Sequence, residues 1–456
     1  MQDRKKHFTF YLFWIIVIFY MDPGGFMHTN LTPLYRSILK FSLLFAAWVC
    51  FFLQRKFNDT NFFTNKFVFK YLVFLFFWFA YYFIWYFGFN NNETFDGILT
   101  ILAKNARIIN SGLFVFPIIY FVTIDLTYFI KLLAWSSIII IILFILSIYL
   151  GLDLINYLRG NRLIIDVNRY FMRGYGLIYF LIPLSISTVL MKFKIKQKKL
   201  LFFSGALTIL LIFFTLWRRD MIGLIEYLLI ISFFVNYMKG GSIGNFLHRV
   251  LKNRIVVYSV VIIFLIAIFA PNIISLGEKL IYQTYLTFSG QGNEVTDVRL
   301  SLSGKTSIIN AIKDNFFLGT GYDNDWMTGD GGKNEWEGSD YIFLSSFAMY
   351  GLVGLVIFLP FYMLTVRIIL KLFKLLRRNY SKLYSNERIV YAVIVGLAAS
   401  AEFVKNIIEF PNWFYPIGAS ALSPLYFFYF GFLLGSYYVV KKEIYLLNSK
   451  EIKYEY

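Results

Sequence analysis

The side chains best suited to chemistry in this chain are arginines and a few carboxylates, and they fall where apolar sequence breaks off. Trp217-Arg218-Arg219-Asp220 is all that separates two long apolar runs. A guanidinium is planar, permanently charged and offers a fork of donors that matches phosphate oxygens, so paired arginines there suit a clamp for an anionic group. A solvated hairpin turn neutralised by Asp220 is the plainer alternative. Arg162, Arg169 and Arg173 lie in a polar interruption, 151–175, and Arg299 opens a second polar block. Together these cations could concentrate positive charge over one cavity attractive to a pyrophosphate. Arginines at a membrane edge also snorkel toward headgroups with no further role.

Asp340 stands at the junction between that second polar block and the apolar run that follows it. A carboxylate at this point can act as a general base toward a sugar hydroxyl, and it can equally cap the helix that begins there. Histidine is limited to His7, His28 and His248, which leaves little for a histidine-based mechanism. Asp323-Asn324-Asp325 and Gly329-Asp330-Gly331-Gly332 invite a calcium-loop reading. The spacing fails it, because Thr328 and Asn334 occupy the positions where the loop needs Gly and Glu. The stretch is better read as an acid-rich lid, and no metal site is expected. Glu226 and Glu402 lie within apolar runs and could mark an ion pathway, but they form no recognisable series.

The elements that must position these residues are set by composition. The chain has 456 residues, 59% apolar and 21% aromatic with only 15% charged, a balance unsuited to a soluble globule. A spanning helix needs about 20 apolar residues, and such runs recur along the whole sequence. The expected fold is an all-α polytopic membrane protein of about 12 transmembrane helices. The predicted spans are 8–21, 35–53, 67–89, 108–124, 132–150, 176–191, 200–216, 221–238, 255–270, 342–366, 389–404 and 417–438. Spans 1–9 with the outer loop 151–175 occupy residues 1–270, one large extracytoplasmic loop occupies 271–341, and residues 342–456 hold the last three spans and a tail.

The net charge of +18 does not indicate nucleic acid. Its basic residues sit in short loops such as Lys192 to Lys199 and Arg367 to Arg388, the pattern of cytoplasmic loops under the positive-inside bias. Both termini are then cytoplasmic, and 151–175, Arg218-Arg219 and 271–341 share the outer face. Cys50, the only cysteine, lies in an apolar run, so no disulfide framework or cysteine-based metal site is expected. The first apolar run follows Arg4, Lys5 and Lys6 without a small-residue cleavage site and is expected to be retained.

The order of motifs in the polar block resembles the bacterial O-antigen ligase and polymerase superfamily of polysaccharide-assembling membrane enzymes. Its members often show an Arg-Leu-x-x-Trp start, a helix, a Pro-Leu-Phe-Gly-x-Gly element, a His-Asn-x-Tyr-Leu element and a closing Gly-Leu-x-Gly. Here Arg299-Leu300 opens the block, Ile308 to Asp314 supplies the helix, and Phe317-Leu318-Gly319-Thr320-Gly321 matches the glycine element. Asp340-Tyr341-Ile342-Phe343-Leu344 falls at the His-Asn position, and Gly351-Leu352-Val353-Gly354 closes the set. Arg218-Arg219 and the 162–183 region also look similar to stretches of that family. Asp340 and Tyr341 replace the His-Asn pair, and Phe316 replaces the proline. The missing histidine counts against a ligase and fits the more divergent polymerases.

The resemblance implies a cofactor-independent and metal-independent glycosyltransferase at the outer face of the plasma (inner) membrane. It would join undecaprenyl-pyrophosphate-linked oligosaccharide repeat units for O-antigen, capsule or exopolysaccharide. Arg218, Arg219 and Arg299 would hold the pyrophosphate with support from Arg162, Arg169 or Arg173. Asp340 would serve as base, and Gly319 and Gly321 would shape the loop backbone. Implied partners are the lipid-linked glycan, membrane lipids and a chain-length regulator. A ligase-type glycan transferase is the alternative within the class, and a lipid-linked oligosaccharide flippase is the alternative outside it.

Overall fold

The computed structural model describes residues 2–22, 31, 33–55, 65–89, 95–149, 159–164, 167–172, 176–215, 218–241, 309, 312–313, 315–319, 342–384, 386–409 and 423–454. The predicted ninth span (255–270), Arg173, Arg299, Gly321, the acid-rich stretch and Asp340 lie outside the described residues.

Among the described residues, five helices come first: α1 (Gln2–Met21), α2 (Pro33–Arg55), α3 (Lys66–Phe89), α4 (Phe95–Ile124) and α5 (Thr127–Tyr149). An antiparallel hairpin follows, β1 (Arg159–Ile164) and β2 (Val167–Met172). Next are α6 (Gly176–Tyr179), α7 (Leu181–Leu190), α8 (Lys198–Thr215) and α9 (Arg218–Met238). The last elements are α10 (Ile342–Arg378), a 3-10 turn (Tyr380–Tyr384), α11 (Glu387–Glu409) and α12 (Ser423–Tyr454). Among the described residues, two helical stretches, Thr127–Ser147 and Gly351–Arg378, are long and apolar enough to cross a membrane. Shorter apolar helical stretches accompany them at Phe8–Met21, Ile38–Gln54, Asn110–Ile124, Gly176–Leu190 and Gly223–Met238.

Several expectations are corrected. The helical plan holds, but it misses one short hairpin in 151–175, whose strands Arg-Gly-Asn-Arg-Leu-Ile and Val-Asn-Arg-Tyr-Phe-Met carry too few β-branched and aromatic residues to stand out beside long apolar runs. The predicted span 176–191 breaks at Phe180 into α6 and α7. The basic connector after residue 366 is not a loop up to Arg378, because α10 continues through it. Ile368, Ile369, Leu372, Phe373 and Leu376 are buried there at helical spacing while Lys371 and Lys374 stay exposed, so the helix persists as an amphipathic stripe. Likewise α4 begins at Phe95, and α12 runs on through Lys441-Lys442 to Tyr454.

Helix starts follow local capping chemistry. Asp125, just past the predicted span 108–124, accepts hydrogen bonds from the Thr127 backbone N–H (2.9 Å) and hydroxyl (2.8 Å) and so caps α5. Asn65 accepts from the Phe67 N–H (3.1 Å) at the head of α3, and Asn386 accepts from the Arg388 N–H (2.9 Å) at the head of α11.

The helices α4 and α12 pack closely along each other, with α2 on α4 and α11 on α12. Gly431 and Gly435 permit this approach. A Cβ at Gly431 would lie 2.9 Å from Ile118 Cγ2, and one at Gly435 would lie 2.6 Å from Val122 Cγ1. This is the small-residue spacing that lets two helix backbones meet without side chains between them. Much of the aromatic content fills the remaining interfaces. Phe13 stacks on Phe121 (centroids 3.8 Å apart), Trp78 meets Phe358 (4.3 Å) and Phe74 meets Phe361 (4.8 Å). Polar pairs bridge helices within this core: the Thr9 hydroxyl donates to Gln54 Oε1 (2.7 Å) and the Tyr71 hydroxyl to the Gly112 carbonyl (2.9 Å).

Candidate functional site

The glycine element and the closing glycine motif, some thirty residues apart in the chain, meet in space. Gly351 sits inside α10 at φ +60° and ψ −168°, a conformation open to glycine and strained for other residues. The resulting kink removes the helical partners of the next backbone N–H groups, as at any helix start. The chain from the glycine element supplies replacements: the Leu352 N–H donates to the Phe316 carbonyl (2.9 Å) and the Val353 N–H to the Phe317 carbonyl (3.0 Å). Gly319 is buried at φ +77°, and its N–H donates to the Asn315 carbonyl (2.8 Å). The Tyr81 hydroxyl of α3 reaches the Leu318 carbonyl at 3.4 Å, and the Phe316 ring packs 5.6 Å from that of Phe347. Phe316, Phe317 and Leu318 present exposed side chains around this joint.

Of the arginines, Arg162 and Arg169 are register partners across the hairpin, where Arg159 pairs with Met172. Like charges directly opposite on a two-stranded sheet repel unless an anion neutralises them. The hairpin packs against α5 through β1 and against α8, the helix that leads toward Arg218, through β2. Arg218 and Arg219 were expected in a turn, but they form the first turn of α9. Cations at a helix N-terminus face the positive end of its dipole, so they call for a counter-charge from Asp220 or a bound anion. Arg173 follows β2 directly in sequence and, with Arg299, Asp340 and Gly321, is not among the described residues.

Sequence reasoning missed Lys405, which follows the predicted span 389–404 directly. It is buried in α11, with its ammonium 5.0 Å from the centre of the Tyr227 ring on α9. Glu402, one turn earlier on α11, is buried too. A charged residue just past an apolar run looks like a loop residue until the packing of α9 on α11 is known.

At the opposite end of α3 and α10 the basic side chains gather. Arg388 makes an ion pair with Glu443 (3.0 Å) and donates to the carbonyls of Thr123 (2.6 Å) and Ile124 (2.9 Å), where α4 ends. Asn386 donates to the other Glu443 oxygen (2.9 Å), and the Tyr384 hydroxyl to the Met191 carbonyl (3.0 Å). Burial first, then the Tyr384 hydroxyl, pushes Tyr380 above the usual phenol range. A cavity of about 1000 Å³ opens beside Arg388, lined also by Arg378, Lys441 and Lys442.

Comparisons with protein-family models, with curated proteins and with solved structures each return no match.

Proposed function

We propose that this chain is a multi-pass membrane enzyme, a polymerase that joins oligosaccharide repeat units carried on undecaprenyl pyrophosphate at the outer face of the plasma (inner) membrane. The membrane part of the reading is supported by the exterior of the bundle. Phe45, Phe76, Phe8, Leu370 and Met363 are each more than 60% exposed, an arrangement that water penalises and hydrocarbon accepts. Both termini lie in the cytoplasm in this reading, and residues 271–341 form the large outer loop.

The observation that carries the enzymatic part is the joint between Phe316–Gly319 and Gly351–Val353. Two of the motifs that bear the resemblance meet through main-chain hydrogen bonds, which tie the glycine element to the kink in α10. In the reaction, the acceptor hydroxyl attacks the anomeric carbon of the donor glycan. The new glycosidic bond forms as the bond to pyrophosphate breaks, and the hydroxyl proton passes to the Asp340 carboxylate. Negative charge grows on the departing pyrophosphate, and fixed guanidinium groups stabilise it most in the transition state. Arg218, Arg219 and Arg299 take this role, supported by Arg162, Arg169 and Arg173; the cross-strand arginine pair and the cationic start of α9 both favour an anion nearby.

The test uses purified protein in liposomes with a short repeat unit on undecaprenyl pyrophosphate, without added metal, the products being separated on a gel. A ladder of lengthening glycans that disappears in Arg218→Ala supports the polymerase and the clamp. Transfer of a single glycan to a different acceptor moves the assignment to a ligase. Movement of substrate between leaflets without a ladder replaces the enzyme with a flippase.

A further inference from the structure

A second basic site lies where the start of α3, the C-terminal half of α10 and the middle of α12 come together. Lys66 and Lys70 come from α3, Arg367 and Lys371 from α10, and Lys441 from α12, and they line a cavity of about 290 Å³ in which no described carboxylate takes part. Arg367, Lys441, Lys66 and Lys70 all lie close enough to Lys371 to repel it. The site is held in shape by its uncharged members. The Tyr438 hydroxyl donates to Asn65 Oδ1, the same atom that caps α3, and the Lys371 ammonium rests 4.8 Å from the Phe67 ring centre. The α3 N-terminus adds its own partial positive charge. Five cations drawn to one cavity repel one another, and a phosphate group is the ligand whose charge and oxygens relieve that repulsion best.

The surroundings decide what carries the phosphate. On α3 the exposed stripe continues from Lys66 and Lys70 to Val73 and Phe77, and on α10 Arg367 and Lys371 are preceded at the same helical spacing by Leu359 and Met363, all exposed. The two helices run antiparallel: Phe67 lies by Lys371, Phe74 by Phe361 and Trp78 by Phe358. Both apolar stripes therefore leave the basic cavity in one direction. A cationic pocket opening onto an exposed apolar surface fits an amphiphile better than a free ion.

We infer that the α3–α10–α12 pocket binds the phosphate headgroup of an anionic membrane phospholipid, whose acyl chains lie along the exposed faces of α3 and α10. This site is separate from the glycine joint and is indifferent to the reaction proposed above; it rests only on the chain residing in a membrane.

The full chain in detergent, titrated with phosphatidylglycerol or phosphatidylcholine and read by native mass spectrometry, tests the assignment. Wild type is expected to retain phosphatidylglycerol over the zwitterionic lipid. Lys70→Gln with Lys371→Gln should weaken that binding by roughly ten-fold or more, the loss expected for two cations at an anionic surface. Lys70→Arg with Lys371→Arg keeps the charge and should keep the lipid. Lys192→Gln with Lys194→Gln removes equal charge from a different exposed loop and should change nothing. Equal losses from both glutamine pairs would mean diffuse surface charge and overturn the site. Displacement of the lipid by millimolar inorganic phosphate would make it a site for a free anion. Because neither result depends on glycan synthesis, failure here leaves the polymerase test untouched.

Discussion

A Cβ placed on Gly351 would lie 2.4 Å from the Phe317 carbonyl oxygen and 2.6 Å from the Gly319 nitrogen. The two motifs can therefore touch only because residue 351 has no side chain. The same residue supplies the kink that frees the Leu352 and Val353 N–H groups for the Phe316 and Phe317 carbonyls.

Gly351→Ala should then cost more than backbone strain alone. Strain in this region of conformational space is worth about 1–3 kcal/mol, and the collision with Phe317 adds to it. Gly240 gives the comparison: it also has positive φ (+78°), but a Cβ there would meet nothing within 4 Å. Thermal unfolding in detergent should show Gly240→Ala mildly destabilised and Gly351→Ala clearly more so. Equal shifts would mean that the contact with Phe317 carries no weight.

Gly435 and Val122 test the α4–α12 contact. A methyl group at Gly435 would meet Val122 Cγ1 at 2.6 Å, so Gly435→Ala should destabilise by about 1–3 kcal/mol, as overpacking does. Val122→Ala in the same chain removes the opposing atoms and should recover part of that loss. A purely additive double variant, measured by the unfolding midpoint, would place the cost elsewhere.

Arg388 is tied to Glu443 and to the last carbonyls of α4, so its loss reaches three helices. The Glu443 side chain is only 10% exposed against 43% for that of Arg388. Removing the guanidinium leaves a largely buried carboxylate with Asn386 as its remaining described partner. Arg388→Ala should destabilise by about 1–3 kcal/mol, more than a surface ion pair is worth. Lys196→Ala, whose contact with Glu387 is 3.8 Å with an 82% exposed side chain, should be close to neutral in the same assay.

Arg218→Ala, Arg219→Ala and the pair Arg162→Ala with Arg169→Ala address the proposed clamp. Loss of a group that stabilises transition-state charge typically lowers turnover by about 100-fold or more. Lysine in place of arginine keeps the charge but not the fork, and should restore only part of the rate. Rates of chain extension in liposomes, with glycan binding measured separately, distinguish a clamp from a folding defect.

Much of the helical plan was legible without the structure, because long apolar runs announce themselves one window at a time. Their ends were less legible. Hydropathy falls at Arg367 and at Lys441, but helix propensity and a buried stripe do not, so α10 and α12 run on. The hairpin was hidden for the converse reason: six-residue strands leave little trace beside such long runs.

What the sequence determined by itself is therefore the helical class, the apolar and basic zones, and the glycines and arginines worth testing. These depend on composition and on neighbours a few residues apart. The meeting of Gly351 with Phe317, the opposition of Arg162 and Arg169, the burial of Lys405 and the gathering of Lys66, Arg367 and Lys441 were decided only in three dimensions. Each depends on which helices or strands become neighbours, and close packing through small residues such as Gly431 and Gly435 settles that at distances no local pattern encodes.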